Sequence, residues 1–249
     1  MVGFSVLLNP DLMIKKNLIS LLFFCIILSF YAQCKKPNKA KVKYQYLIYF
    51  PEQYKTHPDS SFPVIIYLHG GSHRGNNIQL LKEWGPPKLI EEGKQFDFIV
   101  VSPQCPGNKL WITDNWFEPL ISDLISQYRV DTSNVFVTGL SMGGFGTWQV
   151  AMDFPNRIKA IVPLCGSCKD SVNICNISHI PVWAIHGVND GLVKIQHTDR
   201  LVNRLKGCNG NIKYSRLENR HHGIWNLYDN DEIYDWFKSI YVARKSSSK

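Results

Sequence analysis

The sequence predicts an α/β fold with a mainly parallel central sheet, helices on both faces and no large lid domain. Three observations predict it. Short apolar runs alternate with stretches of helical spacing along the whole body of the chain, the pattern of a sheet whose strands are linked by crossover helices. The strand-like runs are apolar enough to be covered on both faces. Gly139-Leu140-Ser141-Met142-Gly143 joins one such run to a helix-like one, the sharp turn that lifts a serine hydroxyl above a sheet end.

The elements follow in order. Residues 42–50 (VKYQYLIYF) are rich in β formers, and residues 62–68 (FPVIIYL) form an apolar run ending in His69-Gly70-Gly71. Residues 78–93 read as a helix interrupted at Pro86-Pro87, since proline breaks helix interiors. Residues 96–103 are a buried strand, and 116–128 carry Leu120, Leu124 and Ile125 at helical spacing. Strand 135–138 leads into the serine turn and its helix. Strands at 161–164, 181–185 and 212–217 alternate with helices at 194–205 and 231–241. The longest irregular stretches, 103–115 and 166–180, both follow strands. Ligand crevices of open α/β sheets lie beyond the carboxyl ends of the strands, so both stretches are expected to border the site.

The ends read differently from the body. Lys15-Lys16, an apolar run from Leu18 to Tyr31, and Ala32-Gln33 have the layout of a signal peptide over residues 1–33. The run is shorter than the ~20 apolar residues of a membrane span, so no span is expected after cleavage, and the protein is expected to be exported. Cys34 as a lipid-bearing first residue is the weaker reading, because Tyr31-Ala32-Gln33 poorly matches the small apolar triplet such sites take. Met13 is an alternative start. Residues 34–43 form a basic linker, 44–243 the catalytic domain and 244–249 a basic tail.

The formal charge is +8. The leader contributes one positive charge, the linker lysines five and the tail three, which leaves the body at −1. A nucleic-acid partner requires a basic face on the domain, and none is expected. Five cysteines lie in the body: Cys105, Cys165, Cys168, Cys175 and Cys208. Export permits disulfides, and Cys168 and Cys175 are close enough in sequence to close a small loop, with the pairing left open. Cys165, in an apolar run, reads as a buried thiol. Cys165-Gly-Ser-Cys168 does not recur with zinc spacing, and no metal is expected.

A serine is a poor nucleophile without a base, and the base needs an orienting acid. In this strand–turn–helix arrangement they follow in the order Ser, acid, His. Asp190 comes after the strand 181–185, whereas Asp199 falls inside a helix and Glu218 ends a strand. His221 and His222 both follow the last strand. Only one can face Ser141, and His222 is preferred. The developing oxyanion needs two preset N–H donors: Met142, after the nucleophile, and Gly71, where glycine permits close approach. His69 and His186, each ending a strand in a His-Gly pair, read as structural. Trp84, Trp111 and Trp116 stand where they would line an acyl or alcohol pocket, with ordinary packing the competing reading. Trp111 and Trp116 are taken as substrate-binding.

Leu68-His69-Gly70-Gly71, residues 100–106 (VVSPQCP), 138–148 (TGLSMGGFGTW), 185–193 (IHGVNDGLV) and His222-Gly223-Ile224-Trp225 carry a resemblance. Together they resemble small bacterial α/β-hydrolases of the phospholipase/carboxylesterase, dienelactone-hydrolase-like and prolyl-oligopeptidase-like group, which includes polyhydroxybutyrate-depolymerase-like and feruloyl-esterase-like enzymes. It covers about residues 44–241. The resemblance implies the α/β-hydrolase fold, Ser141 as nucleophile, Asp190 as acid, His222 as base, and hydrolysis of a small-molecule or carbohydrate-linked ester without metal or organic cofactor. The alternatives are a serine peptidase of the prolyl-oligopeptidase-like group, whose members usually carry an extra propeller domain, and a non-catalytic binding protein on the same scaffold.

Overall fold

A seven-stranded sheet in the order β1-β3-β2-β4-β5-β6-β7 organises the chain. The computed structural model describes residues 44–168 and 170–247; the expected leader and linker lie outside them. Strand β1 (Tyr46–Tyr49) runs antiparallel to β3 at one edge. One helical turn, α1 (Gln53–Thr56), leads to β2 (Phe62–Leu68). A 3-10 segment over Ile78–Glu83 and helix α2 (Gly85–Glu91) precede β3 (Ile99–Pro103). Helix α3 (Phe117–Gln127), β4 (Val130–Leu140), α4 (Met142–Asp153) and β5 (Ala160–Leu164) follow. Then come β6 (Val182–Gly187), α5 (Gln196–Gly207), β7 (Ile212–Leu217) and α6 (Glu232–Ser247). All pairings from β3 across to β7 are parallel.

Successive strand residues point to opposite sides, and the core divides accordingly. Val64, Ile66 and Leu68 pack with Leu120, Trp148 and Leu201 of α3, α4 and α5. Ile65 and Tyr67 pack on the other face with Leu89 of α2 and Phe237 of α6. Central strands buried on both faces are why their sequences read as unbroken apolar runs.

Three local expectations are corrected. Pro86 and Pro87 do not break a helix; they occupy the first turn of α2, where the missing N–H has no intrahelical acceptor to lose. Strand β4 begins at Val130 rather than 135, because Val130 pairs with Phe62 at the sheet border before a register shift after which pairing resumes at Val64 and Val135. The last helix runs on through Ser247 rather than ending at 241.

The structure decides the disulfide. Cys175 pairs with Cys208, with a Cα–Cα distance of 5.5 Å, and Cys168 is free. The bridge ties the 3-10 segment Val172–Ile177 to the end of α5, a neighbourhood that sequence proximity to Cys168 does not reveal. It closes a loop of 33 residues. On loop-entropy grounds it contributes about 3–4 kcal/mol. Reduction should therefore lower the urea midpoint of unfolding; an unchanged midpoint would place that stabilisation elsewhere.

Candidate active site

The C-terminal ends of β2, β4 and β6 and the loop after β7 converge on one edge of the sheet. Ser141 sits between β4 and α4 with φ 58° and ψ −119°, a left-handed conformation that non-glycine residues adopt at a cost of ~1–3 kcal/mol. The packing around it explains how it is held. The Ser141 N–H donates to the Leu164 carbonyl at 2.9 Å, and the Ser141 carbonyl accepts from Phe145 N–H at 2.9 Å. The flanking glycines let backbones touch. A Cβ on Gly143 would lie 1.9 Å from the Leu68 carbonyl oxygen, and one on Gly144 2.5 Å from that of Leu164.

Asp190 follows β6 and is buried. Its Oδ1 accepts N–H bonds from Leu192 at 2.8 Å and Val193 at 2.9 Å. Its Oδ2 lies 2.7 Å from His222 Nδ1. Burial by itself raises the carboxyl pKa; the hydrogen bonds from His222, Val193 and Leu192 together outweigh it, and the net shift is downward. His222 Nε2 lies 2.8 Å from Ser141 Oγ. Nδ1 faces a carboxylate and therefore donates, which leaves Nε2 to accept the serine proton. His221 turns away, exposed, with Nδ1 3.0 Å from the Asn189 carbonyl. The acid and base loops are held together by Asn189 N–H to the Arg220 carbonyl at 2.9 Å. Gly187 allows this approach, for its Cβ would lie 2.4 Å from the His221 carbonyl.

Met142 is the first residue of α4 and Gly71 the first of the 3-10 turn Gly71–His73. First-turn N–H groups have no partner inside their own helix. Gly71 and Ser141 line the same cleft, and a Cβ on Gly71 would meet nothing within 4 Å. The glycine there leaves room rather than relieving a clash.

His69 supports this turn from beneath. It is buried, its Nε2 accepts from Cys105 N–H at 3.0 Å, and Nδ1 is 2.6 Å from the Gly70 carbonyl. Burial pushes its pKa down to about 4, so the ring is neutral near pH 7.

Trp111 and Trp116 stand elsewhere than expected. Both are almost fully buried, at 2% and 4% exposure. Trp111 Nε1 donates to the His69 carbonyl at 3.0 Å and Trp116 Nε1 to the Trp111 carbonyl at 2.8 Å. They brace the Gly70-Gly71 turn and border a separate cavity between α3 and α4. The cleft containing Ser141, of about 460 Å³, is lined instead by Trp84, Trp225, Tyr67 and Leu192. The rings of Trp84 and Trp225 lie 4.8 Å apart, each indole about one-third exposed. Trp225 rests over Gly223, whose Cβ would lie 2.6 Å from its ring. Trp225 lies three residues beyond His222.

Among the described residues, one grouping brings potential metal-ligand atoms within 4.8 Å of one another: Cys165, His186 and Asp190. Its donors are committed. Both Asp190 oxygens accept hydrogen bonds, and burial pushes the Cys165 thiol up to about 12, keeping it protonated where a ligand must be thiolate. No helix among the described residues is long and apolar enough to cross a membrane.

The chain resembles known proteins. A family profile described as phospholipase/carboxylesterase matches residues 96–232. A bifunctional acetylxylan esterase/xylanase of Neocallimastix patriciarum is 27% identical over 147 residues, covering 55% of this chain and 20% of that protein. A probable feruloyl esterase C of Aspergillus clavatus is 24% identical over 156 residues, covering 60% of this chain and 55% of its own length. The chain thus spans a fifth and about half of these two relatives. Among solved structures, a thermostable esterase superposes with a TM-score of 0.65 at 29% identity, over 78% of this chain and 58% of that one.

Proposed function

Because the chain belongs to the phospholipase/carboxylesterase family, we propose that it is an exported serine hydrolase that cleaves carboxylic esters through Ser141, His222 and Asp190. One observation carries the reading: the continuous chain from Asp190 Oδ2 to His222 Nδ1 at 2.7 Å and from His222 Nε2 to Ser141 Oγ at 2.8 Å. His222 takes the serine proton as Oγ attacks the ester carbonyl. Asp190 fixes the tautomer and stabilises the imidazolium that forms. The N–H groups of Met142 and Gly71 receive the oxyanion, each donor contributing ~10²–10³ in rate, with the positive end of α4 adding to the field. His222 then returns the proton to the departing alcohol, and water repeats the sequence to release the acid. Export rests on the leader pattern of residues 15–33 and fits a disulfide-bearing domain.

The substrate is a small or carbohydrate-linked ester with a flat group placed against Trp84 and Trp225. The support is an apolar cleft walled by two accessible indoles, and flat rings stack on such walls with ~0.5–1.5 kcal/mol beyond their burial. Trp225→Ala should lower kcat/KM for methyl ferulate about 3- to 10-fold and leave methyl butyrate within twofold. Equal losses on both esters would remove the stacking role. A fluorophosphonate probe is expected to label Ser141. An unlabelled folded protein would favour a binding scaffold, and faster turnover of peptide anilides than of esters would favour a peptidase.

A further inference from the structure

His186 has no part in the mechanism above, yet it is fully buried beside Asp190. Its Nε2 lies 3.1 Å from Asp190 Oδ2 and 2.9 Å from the Val193 carbonyl. Both neighbours only accept, so Nε2 must carry a proton and donate. Its Nδ1 lies 2.7 Å from Thr198 Oγ1 on α5, and that hydroxyl is also 2.7 Å from the Gly166 carbonyl. Gly166 in turn packs on Gly144, where a Cβ would lie 2.4 Å from the Gly144 backbone. Gly144 belongs to the first turn of α4, the helix that begins after Ser141. A continuous set of contacts therefore runs from the Asp190 carboxylate through His186, Thr198 and Gly166 to the helix beside Ser141.

We propose that His186 is a positioning residue: its Nε2–H gives Asp190 Oδ2 a second imidazole donor, which locks the carboxylate in the orientation that His222 requires. The inference rests on the triad reading given above. Asp190 Oδ2 is thereby shared between two rings, one buried and fixed by α5, the other free to exchange its proton with Ser141. Burial pushes the His186 pKa down, so the ring stays neutral; with its one proton on Nε2, its Nδ1 shares the single Thr198 hydroxyl proton with the Gly166 carbonyl. The titratable groups around it are Asp190 on its own loop, Cys165 at the end of β5, His222 after β7 and Asp199 on α5. Cys165 is held protonated by burial, leaving Asp190 and His222 as the pair His186 acts upon near neutral pH.

Two amides separate positioning from packing, because glutamine reaches the place of Nε2 and asparagine does not. His186→Asn is expected to lower kcat about 10- to 100-fold, the usual effect of losing a hydrogen bond to a charged group, with KM changed less than threefold. The acid limb of kcat/KM should move to higher pH by about 0.5–1 unit, since Oδ2 then serves His222 alone. His186→Gln should recover a third or more of wild-type kcat and the wild-type limb. Rates are referred to the number of Ser141 sites labelled by a fluorophosphonate. Wild-type kcat and limb per labelled site in His186→Asn, or failure of folded His186→Gln to recover them, would overturn the proposal. Should the variants not fold, 15N-histidine spectra of the wild-type protein decide: a proton on His186 Nε2 supports it and the Nδ1–H tautomer overturns it. Absence of labelling at Ser141 in the wild type overturns the triad reading itself, and this inference with it.

Discussion

Ser141→Ala is expected to lower kcat for ester hydrolysis by about 10⁴- to 10⁶-fold while the protein remains folded. On the proposed mechanism the effect is large because the hydroxyl, the imidazole and the carboxylate would act as one unit: without Oγ no acyl-enzyme could form, and His222 and Asp190 would have nothing to activate. Residual rate would come from Met142, Gly71 and binding alone, as oxyanion donors still favour attack by water. The fold should tolerate the change because Ser141 Oγ bonds to His222 alone among the hydrogen bonds seen, while the backbone bonds to Leu164 and Phe145 remain. Ester turnover and thermal melting are the two measurements. Near wild-type turnover by a folded alanine variant would remove Ser141 as the nucleophile.

The second large effect falls on stability. Gly143→Ala should destabilise the domain by more than about 4 kcal/mol, beyond the usual range of single substitutions, and leave little soluble protein. The new methyl would stand 1.9 Å from the Leu68 carbonyl oxygen and 2.6 Å from its carbonyl carbon. Neither atom can step aside. Leu68 ends β2, the strand paired with both β3 and β4, and its side chain is fully buried. Relief would require α4 to lift from the sheet, which would carry Ser141 and Met142 away from His222. A control at Gly71, where a Cβ meets nothing within 4 Å, should melt within about 1 kcal/mol of wild type. Equal melting of Gly143→Ala and wild type, read by calorimetry, would show that α4 shifts freely.

The two predictions use different parts of what the sequence displays. The serine turn, the acid after β6 and the histidine pair after β7 were legible because each is a polar residue at the end of an apolar run, in a fixed chain order. The choice of His222 over His221 was a preference in the sequence; the geometry now places one ring 2.8 Å from Ser141 Oγ and turns the other toward Asn189. The tryptophans were not separable this way. Trp84, Trp111, Trp116 and Trp225 all stand near motif ends, and nothing in composition distinguishes an indole that braces a turn from one that walls a cleft. Burial and the Nε1 partner make that distinction, and for Trp111 that partner lies 42 positions away. The cysteines repeat the lesson: Cys168 is near Cys175 in sequence, but α5 brings Cys208 to it.

By itself, then, the sequence determined the order of strands and helices, the two-sided burial of the central sheet and the loops that carry the polar residues at its edge. These follow from local periodicity and turn chemistry, which act over a few residues. Tertiary structure alone decided the disulfide partner, the walls of the cleft and the burial of His186 against Asp190. Each depends on which loops the crossovers bring side by side, and that is set by packing between segments far apart in the chain.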